Sequence, residues 1–435
     1  MGDWKALILG DAITSIIDNR GKTPPHQLDK TPYPLVEINA IVGSCRHIQL
    51  ERVGKYVSKE VYELWFRSGH PLSGDILFST VGSIAEIALV ASEQCCVAQN
   101  IIALRPNKNV VKPPFLYYLL KDNRTKSRLI SLDISSVQPS IKVPHLLKVP
   151  VQLPEIAQQI QIASILGSLD DKIDLNRRMN ETLEAMARAI FKDWFVDFGP
   201  TRAKMESRAP YLAQEIWDLF PDSLDEEGKP AGWVLEPLAE CFEIIGGGTP
   251  KTSVAEYWGE GIPWFSVVDT PPPGCVFVVE TEKSITSCGL RESSARLVPA
   301  GTTIISARGT VGNLAMTGCD MTFNQSCYAL RGNGGLGDCF VFLAAQHMVD
   351  RLKSMAHGSV FSTITRQTFE ATTFPVPGKD FFPCFENVAA PLFMKIQSNV
   401  VESRTIAKTR DLLLPKLMSG EIRVKDVEKA VGAVL

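Results

Sequence analysis

The sequence predicts an α+β chain in which two globular domains are joined by two long antiparallel coiled-coil helices, with a pseudo-two-fold internal repeat. Three observations predict it: a repeat of very long period, a Pro-punctuated exit from the globular part of each copy, and a heptad seam after each exit. The boundaries read from the sequence are residues 1–153 and 207–377 for the two globular domains, and 154–206 and 378–435 for the two helical regions.

The repeat is carried by five separate matches. Gly74-Asp75-Ile76-Leu77-Phe78-Ser79 resembles Gly301-Thr302-Thr303-Ile304-Ile305-Ser306, and Ala103-Leu104-Arg105 recurs as Ala329-Leu330-Arg331. Ser136-Val137 recurs as Ser359-Val360, Pro154 as Pro377, and Lys172-Ile173 with Asn176 as Lys395-Ile396 with Asn399. The offsets run from 227 through 226 to 223, so the chain reads as two copies of one unit.

Within each copy the elements follow in the same order. Apolar segments bounded by Gly and Pro, Asp75–Thr80 and Thr303–Ser306, read as short strands. The exits are Val149-Pro150-Val151-Gln152-Leu153-Pro154 and Phe374-Pro375-Val376-Pro377. The first helical segment places Ile162, Leu166, Leu169, Ile173, Asn176, Asn180, Leu183, Ala187, Ile190 and Trp194 at alternating steps of four and three. The second does so with Phe385, Ala389, Leu392, Ile396, Asn399, Ser403, Ile406, Arg410, Leu413 and Leu417. Such spacing is a coiled-coil seam, and its matched polar positions fix register and partner. Pro391 is expected to weaken the second seam near its start. Seams of about 33 residues would span roughly 50 Å as helices, a rigid strut with a globular domain at either end.

Composition narrows the class. The chain has 435 residues, 45% apolar and 21% charged, ordinary values for a globular protein with buried cores. No apolar run approaches the roughly 18 residues of a membrane span. The opening Met1-Gly2-Asp3-Trp4-Lys5 lacks a basic segment before a long apolar stretch, so a cytoplasmic protein without a signal peptide is expected. Ten cysteines without a CxxC pair predict reduced, buried thiols, and six histidines without HxxxH or HExxH spacing give no zinc site.

Fragments that imitate catalytic motifs fail on chemistry. Lys112-Pro113-Pro114-Phe115 resembles an amino-methyltransferase motif, but its first position must accept a hydrogen bond and lysine only donates. It reads as a loop entering a helix over Phe115–Lys121. Pro221-Asp222 with Glu227-Gly228-Lys229 imitates a metal-dependent nuclease, yet four intervening residues cannot bring the carboxylates onto adjacent strands. Gly246-Gly247-Gly248 and Gly332–Gly337 match neither phosphate-binding fingerprint and read as loops. The chain therefore reads as non-catalytic, with its function in binding.

The net charge of −3 conceals an asymmetry: +5 over residues 1–150, −2 over 151–206, −7 over 207–379 and +1 over 380–435. Two similar, non-identical domains at a fixed separation suit a DNA duplex with unlike half-sites. Chosen by charge and loop position, the DNA-contact candidates are Arg20, Lys22, Arg124, Arg128, Lys251, Arg291, Arg296 and Arg308, with Lys121, Lys126 and Arg331 as further cations. Arg124 and Arg128 are four apart, on one helical face. The candidates for helix pairing and partner docking are Ile162, Leu166, Leu169, Ile173, Asn176, Asn180, Leu183, Ile190, Leu392, Ile396, Asn399, Ile406 and Leu413.

In this order, and twice over, the motifs resemble the DNA-specificity subunit of Type I restriction–modification systems. The resemblance rests on the strand-turn at 74–79 and 301–306, and on Glu243-Ile244-Ile245-Gly246-Gly247-Gly248-Thr249-Pro250 followed by Gly261-Ile262-Pro263-Trp264. It rests also on Leu153-Pro154-Glu155-Ile156-Ala157-Gln158-Gln159 through Ile173, on Leu219-Phe220-Pro221-Asp222-Ser223 with Gly232-Trp233, and on Leu414–Ile422. It implies that the globular parts are target-recognition domains, each reading half of a bipartite, asymmetric double-stranded DNA site, and that the helices set the spacer. It implies two docked methyltransferase subunits and restriction/translocase subunits as partners, and no membrane. It also implies no cofactor in this chain, with S-adenosylmethionine, ATP and magnesium held by those partners. Asp18–Pro25 stands where the second copy has Gly246 to Pro250, so the half-sites should differ. Two other readings compete. One is a self-sufficient methyltransferase, which lacks its motifs here. The other is a helical protein–protein adaptor without DNA reading.

Overall fold

A computed structural model describes residues 4–43, 45–91, 94–133, 138–355, 363–424 and 427, with backbone alone at 354 and 355. The repeated Ser136-Val137 and Ser359-Val360 lie outside these residues. The chain forms two compact units, residues 1–174 with 403–435, and residues 175–402.

In the first unit β1 (Lys5–Ile8) pairs with β8 (Pro150–Leu153) as an antiparallel ribbon. A four-stranded antiparallel sheet has the order β2 (Ile13–Ile17), β7 (Ile101–Pro106), β4 (Ile76–Ser79), β5 (Ile87–Leu89). A short parallel pair joins β3 (Leu35–Val36) to β6 (Cys96–Val97). In the second unit the same plan recurs. The ribbon is β9 (Val234–Pro237) with β18 (Thr373–Val376). The sheet order is β10 (Phe242–Gly246), β17 (Cys327–Gly332), β14 (Thr303–Ser306), β15 (Leu314–Thr317), extended by β12 (Phe277–Val278). The parallel pair is β11 (Trp258–Phe265) with β16 (Thr322–Phe323), and β13 (Lys283–Ile285) flanks β11. The repeat read from five sequence matches is thus a repeat of sheet order.

Three sequence expectations are refined. The exits are themselves strands, β8 and β18, and their prolines sit in two-stranded ribbons, where a missing N–H costs no interior ladder bond. The segment at 112–115 is a helix start: the helix runs Pro113–Lys121, with Lys112 as its N-cap and both prolines in the first turn. The Lys112 N–H donates to Gln159 Oε1 at 2.9 Å, while Gln159 Nε2 donates to the carbonyls of Val110 and Pro154. The predicted strand at 75–80 shortens by one residue at each end to Ile76–Ser79, and just before it the Asp75 carboxylate accepts from the Leu72 N–H and from Arg105.

Two long helices, Ile156–Phe195 and Phe381–Ser419, contribute to both units. The second continues through Pro391, which sits exposed, so the expected weakening does not interrupt the helix. In the first unit Ile162, Leu166 and Leu169 share a core with Ile406, Leu414 and Leu417. In the second, Ala187, Phe191, Trp194 and Phe195 share a core with Phe385, Ala389, Phe393 and Ile396. Partner residues rise along one helix as they fall along the other: Asn180 meets Asn399, and Phe195 meets Phe385 at 5.1 Å between ring centroids. The pair is therefore antiparallel. Ile173, Leu183, Ile190, Leu392 and Leu413 are partly buried at its flanks. Phe220 and Trp233 stack edge-on to Phe381 at 4.7 and 5.2 Å, so the 219–233 segment anchors a helix end. All ten cysteines are unbridged, and Cys95, Cys96, Cys241, Cys327 and Cys339 are buried.

Candidate nucleic-acid interface

Each sheet ends β4 or β14 on a serine that ties the following turn. Ser79 Oγ donates to the Ser83 carbonyl and accepts from the Glu86 N–H at 2.8 Å. Ser306 Oγ donates to the Thr310 carbonyl and accepts from the Asn313 N–H at 2.8 Å. The turns need left-handed backbone, supplied by Gly82 and Ala85 in one copy and by Gly309 and Gly312 in the other. The turn is bound to the residue that precedes the last strand: the Thr80 N–H donates to Asn100 O at 2.9 Å, and the Ala307 N–H to Ser326 O at 2.8 Å.

The loop after the first sheet strand meets the same place. In the second unit a Cβ on Gly247 would stand 2.0 Å from Asn324 O, and one on Gly248 would stand 2.3 Å from Ser294, so only glycine fits. The buried Trp264 indole donates to the Gly248 carbonyl at 3.0 Å, joining the two halves of the motif at 243–264. Beyond it, Thr249 Oγ1 donates to Gln325 Oε1. The first unit has no triple glycine, yet Thr23 Oγ1 donates to Gln99 Oε1 at 2.9 Å. Thr23 and Thr249, like Gln99 and Gln325, stand 226 residues apart, so one polar pair recurs at one place in each unit. The sequence reading by charge missed it. The signal was the common offset of two uncharged residues.

The candidate cations fall into two groups. Arg20 is tied to Asp18, Nη2 to Oδ2 at 2.5 Å, and this guanidinium hydrogen bond holds the Asp18 carboxyl below its ordinary range. Arg124 donates to the Pro415 carbonyl at 2.5 Å and lies 3.5 Å from Asp122. By contrast, Lys22, Arg128, Lys251, Arg291, Arg296 and Arg308 are exposed and have no carboxylate partner among the described residues. Lys22 and Lys251 lie on the two threonine loops, and Arg308 lies on the serine-tied turn. Lys126 is paired with Glu86 at 2.9 Å, and Arg331 lies 3.7 Å from Glu243. Lys121 donates to the Tyr117 hydroxyl at 3.2 Å, and burial pulls its pKa down to about 8.

The polar seam residues are engaged within the helix pair. Asn176 Nδ2 donates to Glu402 Oε2 at 2.8 Å, and Asn399 Nδ2 to Asn180 Oδ1 at 2.8 Å. In the first unit the buried Asp170 accepts from Arg410 at 2.5 Å and from the Tyr118 hydroxyl at 2.6 Å. Outside the seam, Leu175, Met179 and Met186 are exposed on the first helix, and Met394 and Val401 on the second.

Residues 1–185 and 230–380 match the family described as Type I restriction modification DNA specificity domain. The chain belongs to this family. The two matched stretches begin at the two repeats, so this specificity chain carries the family domain twice. It is similar to the HindI specificity subunit of Haemophilus influenzae, at 27% identity over 97% of this chain and all of that one. It is similar also to a putative MjaX specificity subunit of Methanocaldococcus jannaschii, at 26% identity over 97% of this chain and 94% of that one. A crystal structure of the S subunit from M. genitalium has the same fold, with a TM-score of 0.51 at 14% identity, covering 95% of this chain and 96% of that one. The chain is thus a DNA-sequence-recognition subunit of the type I restriction–modification class, and this family is non-catalytic. No helix among the described residues is long and apolar enough to cross a membrane.

Proposed function

We propose that this chain reads a bipartite, asymmetric double-stranded DNA site, one half-site per globular unit, and scaffolds the modification and restriction subunits of a cytoplasmic Type I complex. The observation that carries this reading is the recurrence of one loop frame on two non-identical surfaces. The serine-tied turn and the threonine–glutamine pair are shared, while Asp18–Lys22 and Gly246–Gly248 differ around them. Shared frame with unlike loops is what two readers of unlike half-sites require.

Two methyltransferase subunits would supply S-adenosylmethionine-dependent adenine methylation, and translocase–nuclease subunits would supply ATP- and magnesium-dependent restriction. Because the seam side chains are occupied, docking falls to the outer helix surface. Leu175, Met179 and Met186, spaced by four and seven, lie along one face and suit an apolar partner groove.

Binding of the assembled complex to duplexes tests the reading against the adaptor alternative. The reader predicts DNA affinity that falls steeply with salt as phosphates are neutralised. Equal, salt-insensitive binding to all duplexes, or none, supports the adaptor.

A further inference from the structure

We propose that the Thr23–Gln99 and Thr249–Gln325 pairs are backbone anchors, holding a DNA phosphate in each recognition unit without reading its bases. The proposal rests on the DNA-reading function above. In both units a threonine hydroxyl donates to the glutamine Oε1. Each threonine is fixed by a buried proline that follows it, Pro24 or Pro250. Each glutamine precedes the residue whose carbonyl is held by the serine-tied turn, Asn100 or Ser326. Backbone and side chain are therefore set before any ligand arrives, which lowers the ordering cost of binding.

The chemistry left over is a donor. Each Gln Nε2 carries two N–H groups, and neither glutamine donates to another described residue. Both glutamines are exposed. A glutamine that reads adenine uses Oε1 as acceptor and Nε2 as donor together. Here Oε1 is already engaged by threonine, so the pair suits an oxygen acceptor that needs only donors. Phosphate oxygens are such acceptors, and glutamine side chains are among the groups that position proteins on DNA without sequence information. Lys22, one residue before Thr23, and Lys251, two after Thr249, add unpaired positive charge at each site. Identity between copies also fits: domains reading different bases can share only what does not depend on the base.

The test uses the assembled complex with its methyltransferase partners, bearing Gln99→Leu, Gln325→Leu, or Gln99→Glu. Affinity is measured for the methylated-motif duplex and for one with both half-sites scrambled, together with the Tm and the motif methylated in cells. Each Leu variant should weaken both duplexes by the same factor, about fivefold for a lost neutral hydrogen bond, with motif and Tm unchanged. Gln99→Glu keeps the acceptor for Thr23 but replaces the donors with anionic oxygen, and should weaken binding by about tenfold or more. A motif that becomes degenerate in one half-site would overturn the proposal in favour of base reading. A lower Tm with unchanged affinity would reduce the pair to a loop tie. Failure of the unmodified complex to prefer its motif duplex would overturn the DNA-reading function itself, an outcome visible before any variant is compared.

Discussion

Asn399 and Asn180 meet amide to amide inside the helix pair, Nδ2 to Oδ1 at 2.8 Å, and Asn399 Oδ1 has no partner among the described residues. A buried polar pair of this kind specifies register more than it stabilises. Asn180→Leu strands the Asn399 amide and should cost about 1–3 kcal/mol in denaturant unfolding. The double change Asn180→Leu with Asn399→Leu should recover that loss or exceed it, while loosening register. A single variant as stable as the parent would remove the pair from the account.

Asp170 and Arg410 form the buried ion pair of the first unit, with side chains 6% and 4% exposed. The repeat places Phe393 and Ala187 at the matching positions of the second unit, both in its apolar core. Arg410→Ala leaves the Asp170 carboxylate with the Tyr118 hydroxyl but without its cation, and should cost about 3–5 kcal/mol. Adding Asp170→Phe, the residue of the other copy, together with Tyr118→Phe so that no buried hydroxyl is left without its acceptor, should restore most of it. A loss below about 1 kcal/mol for the single change would contradict the ion pair's place in the core.

Lys121 gives the chain a pH signature. Burial lowers its pKa to about 8 in the fold, against 10.5 for the free side chain. Between these values the unfolded chain binds more protons than the folded one, so this residue makes stability rise with pH across that window. Lys121→Met should flatten the rise, as read by chemical denaturation at pH 7.5 and 10. An unchanged pH dependence would place Lys121 in water.

Cations without carboxylate partners should act on DNA, and those with partners on the fold. In the assembled complex, Lys22→Ala and Arg308→Ala should each lower the salt slope of DNA binding by about one. Arg124→Ala removes a bond to the Pro415 carbonyl and should lower Tm with little change in slope. The opposite pattern would reverse the assignment.

If the helix pair sets the spacer, a heptad inserted into both helices should preserve the seam and lengthen the spacer in the methylated motif, with both half-sites intact. Loss of both half-sites would contradict it.

Helical periodicity is local information, so the seam from Ile162 to Trp194 could be read from spacing alone, as could the repeat. What escaped were relations between distant residues. Asp170 lies off the heptad frame, and its pairing with Arg410 depends on register between helices. β8 and β18 read only as Pro-punctuated exits because short proline-containing strands carry no periodicity, and only pairing with β1 and β9 makes them strands. Charge and loop position selected Arg124 without revealing a carbonyl 291 residues away that holds it. Charge passed over Gln99 and Gln325 because neutral donors leave no compositional trace.

Adenine methylation across the host genome, read by long-read sequencing with this gene intact and deleted, tests the central claim most directly. The account predicts that one bipartite, asymmetric motif loses its methylation on deletion. Unchanged methylation at every motif in a strain that expresses the complex would contradict it.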